Sequence, residues 1–238
     1  MAKPLRLAII GGTSLLGSAQ FSQADPLPVV TPYGPVTLLE QEGVLFLQRH
    51  GLERYTPPHR INHHAHIYAL QQAGAEAVLA IGSVGSLRLD LPPGTVVVPD
   101  DFYAPHLSLS FFDDQRGHLA PGFHPEWRNR LLDLWQQSGL PMPRTHGVYW
   151  QTTGPRFETP AEIRILAPHV HVVGMTIASE TILAAELSLP YAALCMVDNF
   201  ANGIEAKPLS YESFKAQVHA NEARLLQTIH VLSKAVLL

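Results

Sequence analysis

With 238 residues the chain is long enough for one α/β domain, and it is read as a single domain over residues 1–238. Apolar residues make up 46 % and charged ones 15 %, which excludes a disordered chain and provides for a large core. A formal net charge of −4, from 16 Lys+Arg and 20 Asp+Glu, gives no general attraction for nucleic acid or for an anionic membrane surface.

The first residues carry two positive charges, Lys3 and Arg6, before a short apolar run that Gly11-Gly12 stops too soon for a signal-peptide core. No stretch of 18 apolar residues follows, so the expected location is cytoplasmic. Candidate strands are Leu5–Ile10, Val44–Gln48, Ala77–Ile81, Thr95–Val98, His171–Val173 and Tyr191–Val197. Several are apolar at consecutive positions, which predicts a sheet covered on both faces. Asn62–Ala73 reads as a helix, with Ile67, Leu70 and Ala73 spaced by three and Gly74 placed to end it. Residues 103–146 form a long excursion with one short helix near Glu126–Gln137, of the kind that closes a site or meets a partner subunit. Thr159-Pro160-Ala161-Glu162 has the residues of a capped helix start. From Ser210 to Leu238, Phe214, Val218, Leu225, Ile229 and Leu232 predict one amphipathic helix packed on the sheet. The single cysteine, Cys195, lies in an apolar run and reads as a buried small hydrophobe.

Chemistry concentrates at the ends of the candidate strands. Gly11-Gly12-Thr13-Ser14, followed by Leu15-Leu16-Gly17-Ser18, is a glycine-rich turn whose N–H groups and hydroxyls could hold an anion. It lacks the dinucleotide-binding spacing, and the polar, proline-containing Gln20–Pro32 that follows shows no helical pattern, which argues against an NAD-dependent dehydrogenase. Arg49-His50-Gly51 offers a guanidinium fork and a further donor for phosphate. Ile81-Gly82-Ser83-Val84-Gly85-Ser86 reads as a second glycine-rich turn, and Met175-Thr176 follows a strand in the same way. Taken together these ends suggest an oxyanion pocket. His59, His63, His64 and His66 lack a third ligand at metal spacing, so no metal is expected; one or two of these imidazoles should face a polar cleft and the rest solvent. Gly154-Pro155-Arg156-Phe157-Glu158 and Asp198-Asn199-Phe200-Ala201-Asn202-Gly203 each set a ring beside carboxylate or amide groups, which suits a planar heterocycle or simply a core ring and a turn.

As a set, these motifs resemble the trimeric purine nucleoside phosphorylase and methylthioadenosine phosphorylase family over nearly the whole chain. The resemblance implies a single-domain nucleoside phosphorylase fold, a twisted mixed β-sheet flanked by helices. It implies phosphorolysis: inorganic phosphate as co-substrate cleaves the N-glycosidic bond of a purine nucleoside, with no metal or organic cofactor. Carried over by motif, Thr13, Arg49, His50, Ser83 and Thr176 would bind phosphate, Met175 would lie under the ribose, and Phe157 would flank the base. Asn199, Glu158 and His50 are the expected catalytic residues, and Ala201, Tyr211, Phe214 and His118 complete the expected substrate-binding set. His118 would reach a neighbouring active site in a homotrimer.

Hydrogen-bond inventory adds a base preference. An Asn199 amide can accept from a protonated N7 and donate to O6, while a Glu158 carboxylate accepts from N1–H, a pattern that fits a 6-oxopurine and mismatches adenine. The adenine-specific methylthioadenosine phosphorylases carry Ser where Glu158 stands, and Asp where Asn199 and Ala201 stand. The resemblance also implies a 5′ preference. Tyr211 and Phe214 stand where the methylthio enzymes place small apolar residues, and no His lies between Asn199 and His219 to meet a 5′-hydroxyl as in ordinary purine nucleoside phosphorylases. Both features favour an apolar 5′ substituent. The expected reaction is therefore cleavage of a 5′-methylthio-6-oxopurine nucleoside to hypoxanthine and 5-methylthioribose 1-phosphate. A general inosine/guanosine phosphorylase, a methylthioadenosine phosphorylase, and a nucleoside-binding protein with an inactive site are the alternatives.

Overall fold

The computed structural model describes residues 5–16, 21–206 and 209–237. Gly17 and Ser18 of the first glycine-rich turn, the residues before Leu5, and Leu238 lie outside the described residues. Among the described residues ten strands form one mixed sheet, and five α-helices flank it. The strands are β1 (Leu7–Gly11), β2 (Asp25–Thr31), β3 (Gly34–Gln41), β4 (Val44–Gln48), β5 (Ala77–Ser86), β6 (Val96–Val97), β7 (Asp101–Tyr103), β8 (Val148–Gln151), β9 (Val172–Gly174) and β10 (Tyr191–Phe200). The helices are α1 (His63–Gln72), α2 (Pro125–Gln137), α3 (Pro160–Leu166), α4 (Ile177–Glu186) and α5 (Tyr211–Leu237).

The consecutive apolar runs do place side chains on both faces. Ala8, Ile10, Leu45, Leu47, Val78, Ala193 and Cys195 join one core with Ile67 and Leu70 of α1 and Ile177 and Leu183 of α4. Their strand neighbours Leu7, Ile9, Phe46, Leu79, Leu194 and Met196 pack on the opposite face against Trp127, Leu131 and Trp135 of α2 and Leu225, Ile229 and Leu232 of α5. Cys195 is buried, and burial pushes its thiol up to about 12, so it stays protonated.

Several expected elements are found with small shifts, α1 among them: Asn62 caps it by accepting from the Ala65 N–H, and Gly74 follows at φ 80°. Thr159 and Glu162 form a reciprocal capping box that starts α3. Thr159→Ala is expected to lower stability by about 1 kcal/mol, read as a shift in the urea midpoint at unchanged slope.

Other expectations are corrected. Residues 82–86 are not a turn but the second half of β5, kept in the ladder by β10 on one edge and β9 on the other. Likewise Asp198-Asn199-Phe200 continues β10 rather than opening a turn. The proline-containing segment is an antiparallel hairpin, β2–β3, added at the sheet edge beside β4, where prolines need not donate to a ladder. Strands β7 and β8 and helix α4 have no counterpart among the sequence-based candidates. The first part of the long excursion folds back on the α1/α4 side, where Glu186 accepts from the Ser110 hydroxyl and the Phe111 N–H, before α2 crosses to the opposite face.

Candidate active site

Pairing around β5 creates the site. One edge of β5 pairs with β10 from Val78 to Ser86. The other pairs with β1 as far as Ala80 and with β9 from Gly85, so residues 81–84 have no strand partner on that edge. A cavity opens at this gap. It is lined by Gly12 and Thr13 after β1, Arg49 and His50 after β4, Ser83 and Gly85 on β5, Gly174 at the end of β9 with Met175 and Thr176 after it, and Asn199 on β10 with Ala201 just past it. Phe157, Glu158, Pro58 and Phe214 close it. The carboxyl-end halves of the parallel strands β1, β4, β5 and β10 meet here, the usual place for a ligand in an open α/β sheet, and β9, antiparallel to β5, brings its own carboxyl end to the same gap.

Arg49 fills the gap itself. Its Nη1 donates 2.5 Å to the Ile81 carbonyl that no strand takes, while Nε and Nη2 donate to the two oxygens of Glu180 at 2.7 and 2.8 Å. Both residues are 1 % exposed. Burial alone would lower the Arg49 pKa, but the Glu180 carboxylate against it outweighs that and holds the guanidinium above its ordinary value. Three of its five N–H groups are thus committed, leaving two for a ligand. The glycine turn has a steric reason: a Cβ on Gly12 would lie 2.5 Å from Arg49 Nη1. Glu180 also accepts from the Tyr191 hydroxyl at 2.6 Å.

His50 is neutral, its pKa pushed down to about 4 mainly by burial. Its Nδ1 lies 2.9 Å from the Thr56 carbonyl, which fixes the proton there and leaves Nε2 an acceptor. The expectation of an added donor is corrected accordingly. Thr176 caps α4 with no side-chain bond to the helix. The Thr176 and Ile177 N–H groups donate to the Tyr149 hydroxyl, and the Ser179 N–H to Gln151. These three first-turn donors are engaged, and the hydroxyl of Thr176, with no bond to the helix, lines the cavity.

Asn199 and Glu158 lie on the same cavity. Glu158 is buried and accepts 2.6 Å from the Thr152 hydroxyl; burial raises its pKa, which that hydrogen bond partly opposes. Asn199 pairs with Gly85 across the ladder, where a Cβ would come within 3.1 Å of the amide nitrogen. Ser83 and Gly85 share a strand face two residues apart, roughly 7 Å. That interval separates an end with Arg49, Thr13 and the Ser83 hydroxyl, whose proton goes to Asp198, from an end carrying the Asn199 amide.

Beyond Met175 and Phe214 the cavity continues into an outer chamber lined by Tyr55, Tyr211, Lys215, Val218 and His219. Tyr211 belongs to this chamber and is 60 % exposed. Phe214 makes an edge contact with Phe157, so Phe214 and Val218 face the chamber while the later apolar positions of α5 face the core. His219 faces the chamber too and pairs with Glu222 at 3.3 Å, so the 5′ side is not without histidine. His118 is exposed and lines neither part of the cavity; no residue of the 103–146 excursion does. Of the four histidines near α1, His59 is exposed, half-buried His64 bonds the Ser110 carbonyl, and half-buried His66 lines a polar pocket with Gln48, Glu53 and Arg54, as expected of one or two of them. His63 departs from that expectation by being buried; desolvation chiefly holds His63 down to about 3 and His66 to about 4.

The spacing of motifs did not reveal Glu180, Tyr191 or Tyr149, and it gave Asp198 only as part of the motif at residues 198–203, without its partner Ser83. Glu180 had one readable signal, a carboxylate inside the otherwise apolar or small run 177–185, which demands a buried partner.

Comparison with known proteins agrees with this architecture. Residues 6–233 match the model of the Phosphorylase superfamily. A probable 6-oxopurine nucleoside phosphorylase from Archaeoglobus fulgidus is 34 % identical, covering 97 % of this chain and 96 % of that protein. A probable S-methyl-5′-thioinosine phosphorylase from Methanocaldococcus jannaschii is 36 % identical over 94 % of this chain and 90 % of its own length. In fold, the chain superposes on methylthioadenosine phosphorylase from Schistosoma mansoni in complex with adenine with a TM-score of 0.86, at 24 % identity, covering 98 % and 92 % of the two chains. With that match running almost end to end, the chain belongs to the phosphorylase superfamily.

Proposed function

We propose that the protein catalyses phosphorolysis of a 6-oxopurine nucleoside bearing a 5′-methylthio group, releasing hypoxanthine and 5-methylthioribose 1-phosphate. The observation that carries this reading is one cavity holding the Arg49–Thr13–Ser83–Thr176 group together with the Glu158 carboxylate and the Asn199 amide. Phosphate bound by Arg49, Thr13 and Thr176 would stand as nucleophile and stabilise positive charge developing on the sugar above Met175. Asn199 would relieve the charge that builds on the leaving purine by hydrogen bonding at N7 and O6, and Glu158 would accept from N1–H. The relatives named for 6-oxopurine and methylthioinosine substrates support the same base. Phe214, Tyr211 and Val218 give the outer chamber an apolar wall for a thioether. A homotrimer in which His118 of one subunit reaches the chamber of the next fits its exposed position away from its own cavity. Among the described residues no helix is long and apolar enough to cross a membrane.

The test is base release from methylthioinosine, inosine and methylthioadenosine, with and without phosphate. Phosphate-dependent cleavage with methylthioinosine at least tenfold ahead in kcat/KM is expected. Inosine equal or better would overturn the 5′ assignment, methylthioadenosine ahead the base assignment, and phosphate-independent or absent turnover the reaction itself.

A further inference from the structure

Asp198 belongs to no expected role, yet it is 1 % exposed and touches the cavity wall from behind. It sits where β10 skips a residue against β5: Val197 pairs with Val84 and Asn199 with Gly85, leaving Asp198 as the unpaired residue of a bulge. Bulges beside sites re-aim side chains. Here the carboxylate takes the Ser83 hydroxyl proton on Oδ2 and the Asn221 amide of α5 on Oδ1, the latter at 2.7 Å. Asn221 in turn accepts from Gln217 at 3.2 Å, so this support is anchored in α5.

A serine hydroxyl has one proton. With that proton committed to Asp198, Ser83 can offer an anion in the cavity only lone pairs. We propose that Asp198, acting through Ser83, makes this part of the wall a hydrogen-bond acceptor, so that the site selects an oxyanion that still carries a proton, hydrogen phosphate, over a fully deprotonated one such as sulfate. A P–O–H group would donate to Ser83 Oγ, continuing the chain to Asp198; a bare sulfate oxygen would meet lone pairs at the same point, and an unmatched buried acceptor is costly. Asp198 is thus a positioning residue for the nucleophile. Burial pushes its carboxyl up to about 6, partly opposed by Ser83, Asn221 and Ser14, so it is predominantly ionised at pH 7.5 and able to hold the Ser83 proton. The inference rests on the phosphate reading of the cavity and deepens it.

Asp198→Asn separates this role from a structural one. An asparagine keeps the oxygen for Asn221 and presents an N–H to Ser83, which frees the serine proton to point into the cavity. Titrating phosphate and sulfate into the full chain by calorimetry at pH 7.5, we expect the wild type to bind phosphate at least tenfold more tightly than sulfate. In D198N the ratio should fall towards one, chiefly because sulfate affinity rises about tenfold. Asp198→Ala, which removes the acceptor, should move the ratio the same way and serves if D198N does not fold. His50 Nε2 is a second acceptor on the cavity, so it is the gain of sulfate binding in the Asp198 variants that assigns the effect. An unchanged ratio, or parallel loss of both anions in a folded variant, would overturn the selection role and leave the phosphate site standing. A wild type that binds neither anion would overturn both readings.

Discussion

Glu180→Ala is expected to cost about 3–5 kcal/mol of folding stability, a large share of what a domain of this size has to lose. The alanine removes both acceptors from Arg49 Nε and Nη2 and the acceptor from the Tyr191 hydroxyl, leaving a charged guanidinium 1 % exposed with a single carbonyl partner. The cost comes from the stranded charge, not from a strong ion pair. For that reason the double change Arg49→Met with Glu180→Leu, of similar volume and without charge, should recover most of the loss. It should also abolish phosphate-dependent turnover, since the guanidinium is gone from the cavity. Urea unfolding of the three proteins at one concentration, with turnover measured alongside, checks both halves. A single variant within 1 kcal/mol of wild type would mean that Arg49 finds water, and that the pair is looser than its geometry shows.

This arrangement also marks the boundary of what sequence patterns could reveal. The central strands, α1, α2 and α5 were legible because burial imposes a period, or a run of apolar residues, that can be read locally. The capping box at Thr159 was legible for the same reason, being a property of four consecutive residues. Hairpin β2–β3 was hidden by Pro26 and Pro28, which suit an edge strand and so imitate a loop. Residues 82–86 looked like a turn because Gly82 and Gly85 are turn residues by composition. In the fold, Gly82 faces Ile177 and Cys195 in the core, and Gly85 makes room beside Asn199.

In the site, the residues of short motifs were readable as candidates, and the cavity gathers Thr13, Arg49, His50, Ser83, Phe157, Glu158, Met175, Thr176, Asn199, Ala201 and Phe214. The groups that decide their protonation and direction were not readable. Glu180 is 131 residues from Arg49, and Asp198 is 115 from Ser83. Such pairs arise only when the strand order brings α4 beside β4, or a bulge turns one carboxylate of β10 towards β5. His50 illustrates the point within six residues: its type suggested a donor, and the Thr56 carbonyl makes it an acceptor.

Asn199→Asp is expected to lower kcat/KM for a 6-oxopurine nucleoside by about 10²–10⁴, an effect of the size that unmatched buried polar groups produce in enzyme specificity. The substitution is isosteric: it replaces an NH2, one N–H of which donates 2.8 Å to the Phe200 carbonyl, by a charged oxygen that only accepts. An amide oxygen can accept from a protonated N7 while its nitrogen donates to O6; a carboxylate accepts at both points and sets lone pairs against O6. A 6-aminopurine presents a donor there instead, so turnover of methylthioadenosine should fall much less or rise, and the preference between the two bases should narrow or reverse. Glu158 gives the pH signature of the same contact. Ionised, it accepts from N1–H in a charge-assisted bond that protonation weakens, and burial raises its pKa, so turnover of the 6-oxopurine should decline as pH falls through that raised value. Glu158→Gln should remove this acid limb, because an amide oxygen accepts from N1–H without titrating. Measuring kcat/KM for methylthioinosine and methylthioadenosine from pH 5 to 8 in wild type, N199D and E158Q reads all three expectations. Equal losses on both nucleosides in N199D would place Asn199 in scaffolding rather than at the purine edge. An acid limb unchanged in E158Q would belong to another group, with Asp198, held at about 6, the next to replace.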